Sequence, residues 1–137
     1  MGLILDSTAV VAVERAGSNS RQLLEALARL HGDEEVAISV ITVLELAHGV
    51  ERANSIERRS RRERFLEELI LGVPVQPVTI PIALRAGQID GRSLGQGIRI
   101  PLSDLLIGAT ALELDYAVGT ANLRHFELIP ELRVIEI

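Results

Sequence analysis

Cysteine is absent from this 137-residue chain, and so are lysine and tryptophan. Without cysteine there is no disulfide, no thiolate metal site and no cysteine nucleophile. The missing lysine excludes more. All 14 basic residues are Arg, so a phosphate-binding P-loop, which needs G-x-x-x-x-G-K, is ruled out. Phosphotransfer sites that combine an aspartate cluster with a lysine fall with it. Aromatic residues make up 2% against a hydrophobic fraction of 47%, so the core must be built from Leu, Ile, Val and Ala. No run approaches the roughly 18 apolar residues of a membrane span. The N-terminus shows no charged-then-apolar leader, and a cytoplasmic protein with no membrane contact is expected. The length suits one domain over 1–137 with a sizeable core. A net charge of −5 argues against a broadly basic nucleic-acid surface.

Short apolar runs alternate with helix-like segments. "GLILD" (2–6), "VAISV" (36–40), "VPVQPVTI" (73–80), "YAVGTAN" (116–122) and "LRVIEI" (132–137) read as strands, with Pro74 and Pro77 marking the third as short or at an edge. Helices are expected over 7–17, 20–32, 42–53, 55–72, 81–97 and in "PLSDLLIGATAL" (101–112). The last leaves almost no polar side and should be buried nearly all round. This alternation predicts an α/β fold with a central, mainly parallel sheet flanked by helices.

Functional groups in such sheets gather beyond the carboxyl ends of the strands. Asp6 ends the first strand, Glu45 opens the helix after the second, Asp104 stands at the mouth of the buried helix, and Asn122 follows "YAVGT". Each also has a purely local reading. Asp6 and Asn122 suit helix caps, Thr42-x-x-Glu45 matches a capping box, and Asp104 lies in a first turn behind Ser103 as N-cap. Four such groups at one crevice would be less ordinary. Unpaired carboxylates held together repel one another and are pushed toward protonation, a conflict that a divalent cation resolves. Oxygen donors without Cys or a His pair select Mg²⁺ or Mn²⁺ over Zn²⁺. Such an ion supports hydrolysis of a phosphodiester by activating water and stabilising developing charge.

The blocks "LILDSTAVVA", "ISVITVLELAHGV" and "IPLSDLLIGATALELDYAVGTANLRHFELIPELRVI" resemble, in order and spacing, the PIN domain, and within it the VapC toxins of bacterial toxin–antitoxin pairs. The resemblance implies a PIN-like fold and a Mg²⁺- or Mn²⁺-dependent endoribonuclease acting on RNA. It also implies a homodimer and neutralisation by a VapB-type antitoxin. By position, it places the catalytic, metal-binding carboxylates on Asp6, Glu45 and Asp104, with Asn122 as the fourth metal position. Thr120 and Ser7 would hydrogen-bond these groups. Many relatives carry an aspartate in a D-F pair where this chain has His125 before Phe126. The same resemblance thus leaves open a catalytically degenerate PIN domain that binds RNA or protein without cutting.

Two other patterns compete. "GRSLG" (91–95) matches a G-x-S-x-G nucleophile elbow, and Asp104 or Asp115 followed by His125 completes a hydrolase order, but the flanking residues lack the strand before Ser93 that the elbow needs. "ERRSRRERF" (57–65) packs five Arg into nine residues. With Arg59 and Glu63 at i,i+4 spacing, it reads as a solvated helix face before it reads as an RNA contact. His31 precedes a glycine at a helix end and His48 lies on a helix, and both suit structural positions.

Overall fold

β1 (Gly2–Leu5) is the axis of the molecule. The computed structural model describes residues 2–17, 19, 21–22, 25–26, 29, 32 and 34–137. Of the helix expected over 20–32, residues 21–22, 25–26 and 29 are helical, while its four leucines and His31 lie outside that description. After β1 come α1 (Ser7–Arg15), β2 (Glu35–Ser39), α2 (Val40–Glu51), α3 (Ile56–Gly72) and β3 (Val75–Gln76). The chain continues through α4 (Ile80–Gly95), α5 (Leu102–Leu114), β4 (Tyr116–Thr120), α6 (Leu123–Phe126) and β5 (Val134–Glu136). The sheet order is β3-β2-β1-β4-β5, and every pairing is parallel.

All four residues of β1 are buried, as a central parallel strand covered on both faces requires. Alternation splits its side chains. Leu3 and Leu5 pack with Val10 of α1 and with Phe65 and Leu69 of α3. Ile4 packs the other way, with Ile82 and Ala86 of α4 and with Leu105, Ile107, Ala109 and Ala111 of α5. The expectation for α5 holds: Leu105 and residues 107–111 are buried. Its low-aromatic filling lets it sit flush against both sheet and α4.

Local chemistry moved several boundaries. The strand expected over 73–80 shrinks to Val75–Gln76, because Pro74 and Pro77 each lack the N–H that would extend the ladder. The helix expected over 81–97 is α4, which runs through Gly87 and Gly91 to Gly95. Ser93 therefore lies in the last turn of a helix and is 5% exposed, and Asp115 is the left-handed C-cap of α5. The nucleophile elbow is excluded, since it needs its serine on a sharp strand-to-helix turn.

Candidate active site

In this strand order the chain departs from β1 in opposite directions, so the crevice lies beyond the carboxyl ends of β1 and β4. Register makes those ends level. Leu5 pairs with Ile38 on one side and with Gly119 on the other, and the Asp6 N–H extends the ladder to the Gly119 carbonyl at 3.0 Å. Asp6 is thus pinned between two strands and is 2% exposed.

The local reading of Asp6 is correct as far as it goes. It is the N-cap of α1, with Oδ1 accepting from the Ala9 N–H at 3.1 Å. The Thr8 hydroxyl donates to the same carboxylate, 2.8 Å from Oδ1 and 2.9 Å from Oδ2. Fully buried Thr120, at the end of β4, donates to Oδ2 at 2.9 Å. Thr120 and Thr8 thus both hydrogen-bond the Asp6 carboxylate. Ser7 turns instead to Glu45, donating to Oε1 at 3.0 Å.

The capping readings of the other two carboxylates fail. Ser39 is the N-cap of α2, accepting from the Ile41 N–H at 3.0 Å. Thr42 lies inside the helix with its hydroxyl directed at the Leu5 carbonyl, so no capping box joins it to Glu45. On α5 the N-cap is Pro101 rather than Ser103, and no side chain caps the helix. Asp104 retains the dipole's support in the first turn, but its Oδ2 lies 2.8 Å from Nδ1 of His125. Asn122 precedes α6 without a side-chain capping bond, and its backbone N–H donates to Thr120 Oγ1 at 2.9 Å.

Electrostatics show that the three carboxylates share one neighbourhood. Burial raises the Asp6 carboxyl above its ordinary value, opposed by the Ala9, Thr8 and Thr120 bonds and reinforced by the charge of Asp104. Glu45 is raised first by burial, against the Ser7 bond, and then by the charges of Asp104 and Asp6. Asp104 is the charge common to both.

As they stand, these groups are not a ready-made coordination shell: among the described residues, no three His or acidic side chains are arranged to hold an ion directly. Mg²⁺ does not require one, since it keeps several waters and takes one or two carboxylates. Glu45 Oε2 and Asp104 Oδ1 accept no hydrogen bond among the described residues, each carboxylate being held by its other oxygen. A hard divalent ion fits this all-oxygen, anionic donor set.

Removing one holder should be measurable. Thr120→Val keeps the shape but leaves buried Asp6 short of a donor, and is expected to cost about 1–2 kcal/mol at neutral pH. That bond favours the ionised form, so the deficit should shrink in acid, where Asp6 is protonated in either protein. Urea unfolding at two pH values checks both the size and the trend.

Beside the acids, Val11, Leu46, Phe65 and Leu66 line an apolar cleft that includes Glu45 and Glu14. Glu14 is 9% exposed, and its Oε1 has no hydrogen-bond partner, with Arg61 Nε at 3.4 Å as an ionic neighbour. The arginine-rich face of α3 is largely spent within the chain. Arg58 bonds Asn54, Arg62 donates to the Gly49 carbonyl, and Arg59 pairs with Glu51 rather than with Glu63. Residues 57–61, 63 and 64 are exposed, as a solvated helix face would be. No helix among the described residues is long and apolar enough to cross a membrane.

A family model described as PIN domain matches residues 3–131. The chain is 34% identical over 131 residues to ribonuclease VapC10 of Mycobacterium tuberculosis, an alignment covering 96% of this chain and 90% of that one. Its fold is similar to that of DNA-bound VapBC from Salmonella typhimurium, with a TM-score of 0.84 at 24% identity over 99% and 98% of the two chains. VapBC-5 from Mycobacterium tuberculosis, a member of the VapBC family of toxin–antitoxin systems, gives a TM-score of 0.75 at 25% identity over 100% and 98%.

Proposed function

The chain belongs to the PIN domain family, and from that premise we propose that it is a metal-dependent endoribonuclease toxin neutralised by a VapB-type antitoxin. The observation that carries this reading is the meeting of Asp6, Glu45 and Asp104, from three separate elements, at the strand ends where β1 and β4 part. The 34% identity to a protein named as a ribonuclease supports the reaction class. Asp6, Glu45 and Asp104 would hold Mg²⁺ or Mn²⁺, with Asn122 at the rim. When bound, the ion supplies positive charge to the scissile phosphate and lowers the pKa of water. The chain's own part is to fix the acids: Thr8 and Thr120 hold Asp6, and Ser7 holds Glu45. Brief induction in cells, followed by mapping of RNA 5′ ends, tests the reading. New, discrete ends are expected. An unchanged RNA population would leave a catalytically degenerate PIN domain that binds RNA or protein.

The antitoxin proposal draws on the likeness to a toxin–antitoxin member and on charge. An anionic site that repels itself when no ion is bound is best silenced by a cationic side chain, most simply an Arg whose planar fork matches a carboxylate. The apolar cleft beside Glu45, which Glu14, Arg15 and Arg62 also line, offers the rest of such a segment a hydrophobic seat. In the complex, an antitoxin Arg is expected within hydrogen-bonding reach of Asp6, Glu45 or Asp104, and its absence from a solved complex would remove this mechanism. We also assign a homodimer, placed in the cytoplasm. The homodimer draws its support from the exposed apolar side chains Leu44, Ile80, Leu84 and Leu102, each more than 60% exposed.

A further inference from the structure

We propose that His125 is a positioning residue for Asp104, holding one oxygen of that carboxylate so that the other is presented to the divalent ion. The inference rests on the metal-dependent reading above and goes beyond it by giving a task to a side chain that the reading leaves idle.

The pairing is built into the fold by two buried neighbours. Leu105 and Phe126 are 2% and 1% exposed and belong to the same core cluster. Asp104 immediately precedes the first, and His125 immediately precedes the second. Seating Leu105 and Phe126 in that core brings the two polar side chains together at the surface of α5 and α6, 2.8 Å apart. Because an ionised carboxylate only accepts, the Nδ1 nitrogen carries the proton and donates to Oδ2.

Among the described residues, no other hydrogen bond restrains the Asp104 side chain. Asp6 is held by Ala9, Thr8 and Thr120, and Glu45 by Ser7, whereas the only hydrogen bond to the Asp104 side chain among the described residues comes from His125. Without it, no hydrogen bond would fix the orientation of the carboxylate in a first turn that supplies no capping bond. A purely structural role explains the pair poorly. The imidazole is 40% exposed, and a polar contact with one partner this open to water adds little to stability. Partners that orient a metal-ligating group, in contrast, typically change metal affinity 10- to 100-fold when removed.

Titration of the metal-free protein with Mn²⁺ alone, followed by calorimetry, tests the assignment. His125→Ala is expected to weaken Mn²⁺ binding about 10- to 100-fold while leaving the melting temperature in chelator nearly unchanged. His125→Asn carries an N–H close to where Nδ1 stands and should restore most of the affinity. Unaltered Mn²⁺ affinity in His125→Ala, with a loss confined to RNA cleavage, would make His125 a substrate contact and overturn the assignment. Equal weakening in both variants would make the imidazole itself a ligand and overturn it as well. A wild-type protein that binds no Mn²⁺ would sink the metal-dependent reading together with this one, so the two failures are distinct.

Discussion

Asp104→Asn is expected to reduce RNA cleavage at least a hundredfold while leaving the protein folded. The substitution keeps the volume, and the amide oxygen can still accept from Nδ1 of His125, so the α5–α6 contact survives. What disappears is the charge. An ion that stabilises developing phosphate charge contributes several kcal/mol to the barrier, and each factor of ten in rate corresponds to about 1.4 kcal/mol. Weakening its grip by one carboxylate therefore reaches a hundredfold readily. Asp6→Asn should be as severe in activity but harsher on the fold, because that carboxylate accepts from Ala9, Thr8 and Thr120 in a buried setting. Cleavage of a fixed RNA, beside circular dichroism of each variant, checks both. Wild-type cleavage by Asp104→Asn would reduce Asp104 to a first-turn carboxylate serving the helix dipole.

The positions of these acids could be anticipated because strand ends are visible in a sequence. A buried run such as "LIL" stops at Asp6, and in a parallel sheet all such stops share one edge. What escaped is what depends on rotation and on distant partners. Thr8 and Ser7 are adjacent hydroxyls of equal reach, and only the start of α1 decides that Thr8 serves Asp6 while Ser7 crosses to Glu45. Thr42 and Glu45 have capping-box spacing, but the helix begins earlier, at Ser39, which satisfies a different N–H. Proline spacing foretold a weak third strand without showing that two residues would suffice. His125 stood out in the sequence for not being an acid, and nothing local reveals that 21 residues separate it from its acceptor. Asp6 teaches a separate lesson. Cap and candidate metal ligand are not alternatives there, since the bond to Ala9 both starts the helix and fixes the carboxylate.

The same cluster should couple metal, pH and stability. Asp6 and Glu45 have folded-state values raised above their ordinary 3.8 and 4.5. A raised carboxyl gives its full contribution below the ordinary value and loses it as pH rises through the folded one. At neutral pH both are therefore ionised at a cost, and the charge of Asp104 adds to that cost for each. Asp104→Asn removes this part of the repulsion. In chelator near pH 7 the variant should melt no lower than its parent, and by a few degrees higher if repulsion outweighs the lost dipole term. Its decline in stability as pH rises above the carboxylate range should also be shallower. Metal reverses the order. An ion at a hundredfold over its Kd stabilises the folded state by about 2.7 kcal/mol, which is roughly 9 °C for a chain of this size. The parent should gain most of that shift in millimolar Mg²⁺ or Mn²⁺, and the variant much less. Equal shifts in the two proteins would mean that Asp104 does not face the ion. The crossing of the two melting curves between chelator and metal is what separates a functional carboxylate from one that only starts a helix, since a first-turn aspartate has no reason to make its own protein less stable until a cation arrives.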